Sequence, residues 1–102
     1  MSAAEELNMD HFKSTVTSGR QLKAARTIVG LTIREMADAA GLNHNTITRV
    51  ERLETLPYHA SAADLMAATL QEMGIVFTAG DGRAGVSFSV ATMRKRSRPL
   101  PV

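Results

Sequence analysis

The chain of 102 residues contains no cysteine and no tryptophan, one tyrosine and three phenylalanines. Without cysteine there is no disulfide scaffold, no thiolate zinc finger and no thiol nucleophile. With Phe12, Tyr58, Phe77 and Phe88 as the sole aromatics, a core must come from Leu, Ile, Val, Met and Ala. Long apolar runs are missing too, and none approaches the ~20 residues that cross a bilayer, so no membrane contact is expected. The opening Met-Ser-Ala-Ala-Glu-Glu is acidic with no apolar stretch behind it, which predicts no secretory signal and a soluble, cytoplasmic protein. The length suits one domain.

Chemistry-bearing clusters are scarce. His11, His44 and His59 are scattered without helical spacing, so no metal site is expected. No paired carboxylates and no Ser/His/Asp set stand together, and an enzyme is the least supported class. Gly80 and Gly82 precede no helix that could hold a phosphate, so no nucleotide or other cofactor is expected. Met36, Met66 and Met73 fall on apolar faces and read as core filler.

What is present is uneven positive charge on a net of +2. Glu5, Glu6 and Asp10 outnumber Lys13 near the start. From Ser18 to Leu53, Arg20, Lys23, Arg26, Arg34, Arg49 and Arg52 outnumber Glu35, Asp38 and Glu51. The end carries Arg94, Lys95, Arg96 and Arg98 without an acid. Such a bias points to an anionic partner.

Start and stop signals divide the chain. Residues 1–17 have no clear period and read as an N-terminal arm or a short extra helix. Ser18 with Gln21 is a capping box that opens a helix over about Gly19 to Val29, ended by Gly30. Thr32 with Glu35 is a second box, followed by the apolar stripe Ile33, Met36, Ala37 and Ala40. Gly41 ends that helix, Leu42 is apolar in the turn, and Asn43 caps a third helix over about His44 to Leu53. Pro57 stops the segment. Ser61 with Asp64 predicts the cap of a fourth helix, with Ala62, Leu65, Met66, Thr69, Leu70 and Met73 as its buried face and Gly74 after its end. The period then changes from helix-like to alternating. Ile75, Phe77 and Ala79, then Val86, Phe88 and Val90, predict a β-hairpin across the turn-forming stretch Gly80 to Gly85. Residues 92–102, with Pro99 and Pro101, read as a basic disordered tail. The expected architecture is mostly α: four to five helices, four of them over 18–73, with a C-terminal β-hairpin over 74–91.

The second and third helices form one mechanical unit. Ala37 is small where two helices cross, Gly41 makes the turn, Leu42 plugs the corner, and Ile47 with Val50 packs the third helix back. His44, Asn45, Thr48 and Arg49 are left on the opposite face. This is the arrangement that presents a short helix to a DNA major groove.

The segment 18–73 resembles the phage-repressor-like (Xre-type, Cro/repressor) helix-turn-helix family. The likeness rests on Leu22-Lys23-Ala24-Ala25-Arg26, on the Ala37/Gly41/Ile47 spacing and on Ile47-Thr48-Arg49-Val50-Glu51. The hairpin, with Gly74-Ile75-Val76-Phe77 and Gly85-Val86-Ser87-Phe88, resembles a subgroup of short regulators. The resemblance implies a lambda-repressor-like domain and a dimeric DNA-binding transcription regulator, a repressor or autoregulator at the nucleoid. It places His44, Asn45, Thr48 and Arg49 at base-contacting positions. Asn matches adenine and Arg matches guanine in hydrogen-bonding pattern. It places Thr32 at a phosphate-contacting position, where backbone N–H groups suit an anion. Arg34, Asn43, Thr46, Arg52, Tyr58 and His59 are further candidates for the DNA backbone. Arg26 and Glu51 match a structural ion pair of the family. The implied partner is double-stranded DNA with a roughly palindromic operator. A homodimer is expected to join through the hairpin, with Ile75, Phe77, Val86 and Phe88 as candidate contacts. A protein regulator is a further possible partner.

One position departs from the pattern. The family usually has Gln after the cap of the second helix, and here Ile33 stands there, reading as core. This keeps two other classes open: a protein-interaction module such as an antitoxin or antiactivator, and a recombination accessory factor.

Overall fold

The structure, a computed structural model, describes residues 15–57 and 60–90. Among the described residues, four helices precede a hairpin: α1 (Gly19–Val29), α2 (Ile33–Ala40), α3 (His44–Glu51), α4 (Ser61–Glu72), β1 (Ile75–Gly80) and β2 (Arg83–Phe88). The described chain is thus mostly helical, with a two-stranded antiparallel sheet at its end. The tail over 92–102 and the first fourteen positions of the arm lie outside the described residues. No described helix is long and apolar enough to cross a membrane.

Local chemistry sets the helix ends. Both capping boxes form, Ser18 with Gln21 on α1 and Thr32 with Glu35 on α2. Gly30 and Gly41 end those helices at φ 82° and 72°, a left-handed conformation that glycine adopts without a Cβ penalty. α3 stops at Glu51, with Arg52 as its C-cap, two residues short of the expected Leu53.

α4 corrects two expectations. Its N-cap is Ala60, with no side-chain cap bond. Ser61 is already helical, so its hydroxyl cannot serve the cap, and Asp64 lies in the first turn, where a carboxylate favours the helix dipole. The buried stripe is Ala63, Met66, Ala67 and Leu70, and Leu65 is 48% exposed. This is an i, i+3, i+4, i+7 stripe whose two alanines leave room for the neighbouring helices.

The hairpin is tighter than the glycine-rich stretch predicts. Asp81 (φ 53°) and Gly82 (φ 72°) alone form the turn, and Gly80 pairs directly with Arg83. Two left-handed central residues match the twist of the flanking strands, so Asp-Gly closes the hairpin in the shortest way. Arg83, Ala84 and Gly85 are therefore strand, not loop. Ile75 and Phe77 point into the core while Val76 and Thr78 are exposed.

The core lies between the helices and the inner face of the hairpin. Leu22, Met36, Ile47, Met66 and Leu70 are its largest fully buried side chains, each stabilising by about 1.5–3 kcal/mol. A polar clasp holds the hairpin to the start of α1. The Gln21 side chain, on a residue 3% exposed, accepts at Oε1 from the backbone N–H groups of Thr17 (2.7 Å) and Ser18 (3.2 Å). Its Nε2 donates to the carbonyls of Thr15 (2.9 Å), Thr78 (3.0 Å) and Gly85 (3.1 Å). Thr17 also accepts from the Leu56 N–H at 2.9 Å. Residues 15–17 thus belong to the packed body, which shortens the expected arm. Close by, Gly19 donates its N–H to the Leu53 carbonyl at 2.8 Å. A Cβ at Gly19 would stand 2.1 Å from the Val50 carbonyl oxygen; glycine is the residue that lets α1 touch the end of α3.

Candidate nucleic-acid interface

The unit of interest is α2, its turn and α3. Thr32 Oγ1 accepts from the Glu35 N–H at 3.1 Å, and Glu35 Oε1 accepts from the Thr32 N–H at 2.8 Å. At the turn, the Leu42 N–H reaches back to the Ala37 carbonyl at 2.9 Å, and Leu42 packs half-buried on the core. Asn43 Oδ1 accepts from the Asn45 N–H at 2.7 Å and starts α3. One face of α3 holds Ile47, Val50 and Glu51, all buried.

The other face of α3 meets solvent. Asn45, Arg49 and the C-cap Arg52 are exposed, and His44, Thr46 and Thr48 are half-buried. The side chains of Asn45, Arg49 and Arg52 have no hydrogen-bond or ion-pair partner among the described residues, and neither does Arg34 on α2. Thr48 Oγ1 donates to the His44 carbonyl at 3.3 Å, which leaves its methyl and oxygen lone pairs for other contacts.

Two expected phosphate positions are altered. The Thr32 N–H already carries the Glu35 carboxylate, so the amides left at the start of α2 are those of Ile33 and Arg34. The Oδ1 of Asn43 is committed to the cap, leaving its Nδ2. Tyr58 and His59 lie outside the described residues.

Arg26 and Glu51 are joined through two bonds, Nε to Oε2 at 2.7 Å and Nη2 to Oε1 at 3.0 Å. Arg26 Nη1 adds a bond to the Leu31 carbonyl at 2.9 Å. The two side chains are 12% and 5% exposed. This pair ties α1, the loop before α2 and the end of α3 together, so it sets how α3 is held.

Of the expected dimer contacts, Ile75 (2% exposed) and Phe77 (5%) lie in the core of a single chain. Their side chains have no surface left for a partner. Val86 and Phe88 are half-buried against the same core. The hairpin offers its backbone instead. The register pairs Gly80 with Arg83, Thr78 with Gly85 and Val76 with Ser87. Because the flanks of a two-residue turn exchange hydrogen bonds, these pairs face each other. The N–H and C=O groups of Ala84, Val86 and Phe88, and of Ile75, Phe77 and Ala79, point to the two outer edges. No described residue pairs with them.

Sequence reasoning missed one element. Behind the exposed face of α3 lies a cleft of about 230 Å³, lined by Lys23 and Arg26 of α1, Ile33 of α2, Thr48 and Glu51 of α3, and Arg52. Lys23 precedes Arg26 by three positions, one face of a helix, which was the available signal. Among the described residues no three of His, Cys, Asp and Glu come together as metal ligands.

Compared with known proteins, the chain matches no protein-family model and no curated protein sequence.

Proposed function

We propose that the chain is a sequence-specific DNA-binding transcriptional regulator of the lambda-repressor-like, Xre type. It acts as a dimeric repressor or autoregulator at the nucleoid in the cytoplasm, and it reads the major groove with residues 44–53. The observation that carries this reading is the contrast between the two faces of α3. The inner face is fully engaged in packing, and the outer face holds Asn45, Arg49 and Arg52 exposed and without partners among the described residues. Exposed, unpaired amide and guanidinium groups on a rigidly capped helix are what base-edge recognition requires. Thr48 offers its methyl group to a thymine, and Arg34 and Arg52 fit phosphates. Dimerisation runs through the open backbone edge of the hairpin, where a second copy satisfies the outward N–H and C=O groups.

The test is fluorescence-anisotropy binding of DNA from upstream of the gene and of a shuffled control, at two salt concentrations. A preference of about 10³-fold or more, abolished in Asn45→Ala/Arg49→Ala, is the expected result. Weak, equal and salt-sensitive binding to both would transfer the weight to a protein-interaction role. That second reading is favoured by Ile33, which lines the cleft with an apolar side chain where the family has a hydrogen-bonding Gln. Sedimentation of the complex addresses the dimer; a single chain per operator at micromolar concentration would remove it.

A further inference from the structure

We infer that the cleft between α1 and α3 is an anion site for one phosphodiester of the DNA backbone, and that Lys23 brings α1 into the interface. The inference deepens the DNA-binding reading and rests on it. The lining holds three cations, Lys23, Arg26 and Arg52, against one carboxylate, Glu51. Glu51 is fully engaged by Arg26 through both its oxygens. Arg26 uses three of its N–H groups on Glu51 and Leu31, so two of the five on a guanidinium remain. Lys23 and Arg52 are exposed and have no partner among the described residues. The result is a surplus of positive charge around a concave space walled by Ile33 and Thr48. A low-dielectric wall strengthens the attraction for an anion placed there.

Position selects the kind of anion. The cleft shares Thr48 and Arg52 with the outward face of α3, so its occupant lies at the border of that face. A DNA backbone flanking the groove read by Asn45 and Arg49 passes this border. The apolar Ile33 does not work against the site: it donates nothing, and the cations on either side of it supply the binding.

The experiment uses the full chain and the upstream fragment, titrated over salt, with wild type, Lys23→Gln, Lys23→Arg and Arg83→Gln. Arg83 sits at the hairpin turn, away from the cleft, and controls for loss of net charge. Lys23→Gln is expected to weaken binding a few-fold on both specific and shuffled DNA. Its plot of log K against log salt should be shallower by about one unit, the share of one phosphate contact. Lys23→Arg should restore the slope, and Arg83→Gln should keep it. A scan of single methylphosphonate substitutions should find one phosphate whose neutralisation weakens wild type and leaves Lys23→Gln unchanged. Wild-type binding with an unaltered slope in Lys23→Gln would overturn the phosphate site alone, as would an equal loss in Arg83→Gln. Failure of wild type to bind either DNA would overturn the DNA-binding reading and this site with it.

Discussion

The start of α1 and the outer face of α3 treat polar groups in opposite ways. Around Gln21 every amide atom is matched within the chain, and the residue is buried. On α3 the polar side chains of Asn45 and Arg49 are exposed and unmatched among the described residues. Buried polar groups must be satisfied internally, because an unmade bond there costs the full desolvation of the group. Exposed ones are satisfied by water and can exchange it for a ligand. The first region therefore determines stability, and the second can change its chemistry with little effect on folding. Under the proposed reading, function and stability are written on different residues of the same small body.

The most severe way to probe this contrast is Gly19→Val. Its Cβ would meet the Val50 and Leu53 carbonyl oxygens at 2.1 and 2.8 Å, and backbone cannot yield as a flexible side chain does. A loss of more than about 4 kcal/mol is expected in urea unfolding; a midpoint near wild type would show that α1 and α3 can separate freely. Next comes Glu51→Ala, which strands a nearly buried Arg26 and should cost about 3–5 kcal/mol. The double variant Arg26→Met/Glu51→Leu should recover much of that stability, as read by thermal melting.

Gln21→Leu keeps the volume and removes the clasp. About 2–3 kcal/mol should be lost, with hydrogen exchange rising first at the hairpin amides. Exchange that rises evenly over the whole chain would mean the hairpin is not held locally. The smallest effect on folding belongs to Asn45→Ala. It should leave the unfolding midpoint within about 0.5 kcal/mol and reduce discrimination at one base position by about 1–3 kcal/mol. If it destabilises the fold as Gln21→Leu does, the contrast between the two regions collapses.

The parts of the fold that were legible in the sequence are those governed by neighbours along the chain. Ser18 with Gln21, Thr32 with Glu35, Asn43, Gly30 and Gly41 act within a turn or so of themselves, and each marks a real helix end. The face of α4 was harder to read. Ala, Leu and Met surround that helix, so two adjacent stripes fit the pattern, and tertiary packing selected the one with Ala63 and Ala67 inward. The hairpin stretch held several glycines, and the Asp-Gly pair alone made the turn. The double duty of Gln21 was out of reach for a different reason. Its partners Thr78 and Gly85 lie 57 and 64 positions away, and no local pattern encodes a contact at that separation. The same holds for Gly19, whose reason is the carbonyl of Val50. In the candidate site, the exposure of Asn45 and Arg49 followed from periodicity. The taken N–H of Thr32 runs against the expectation of a phosphate there: the capping box itself supplies the anion, the Glu35 carboxylate.

The length of α3 bounds how much sequence one copy could specify. Eight helical residues span ~12 Å at 1.5 Å per residue, or about four base pairs at 3.4 Å each. Four fully discriminated base pairs amount to about 8 bits, since each pair has four possible identities. A unique address among the roughly 10⁶ to 10⁹ competing sites of a genome takes about 20–30 bits. If α3 reads DNA as proposed, one copy specifies a short word that recurs thousands to millions of times over that range. Two copies held at fixed spacing double the word, and the rest of the address must come from the shape and stiffness of the DNA between them.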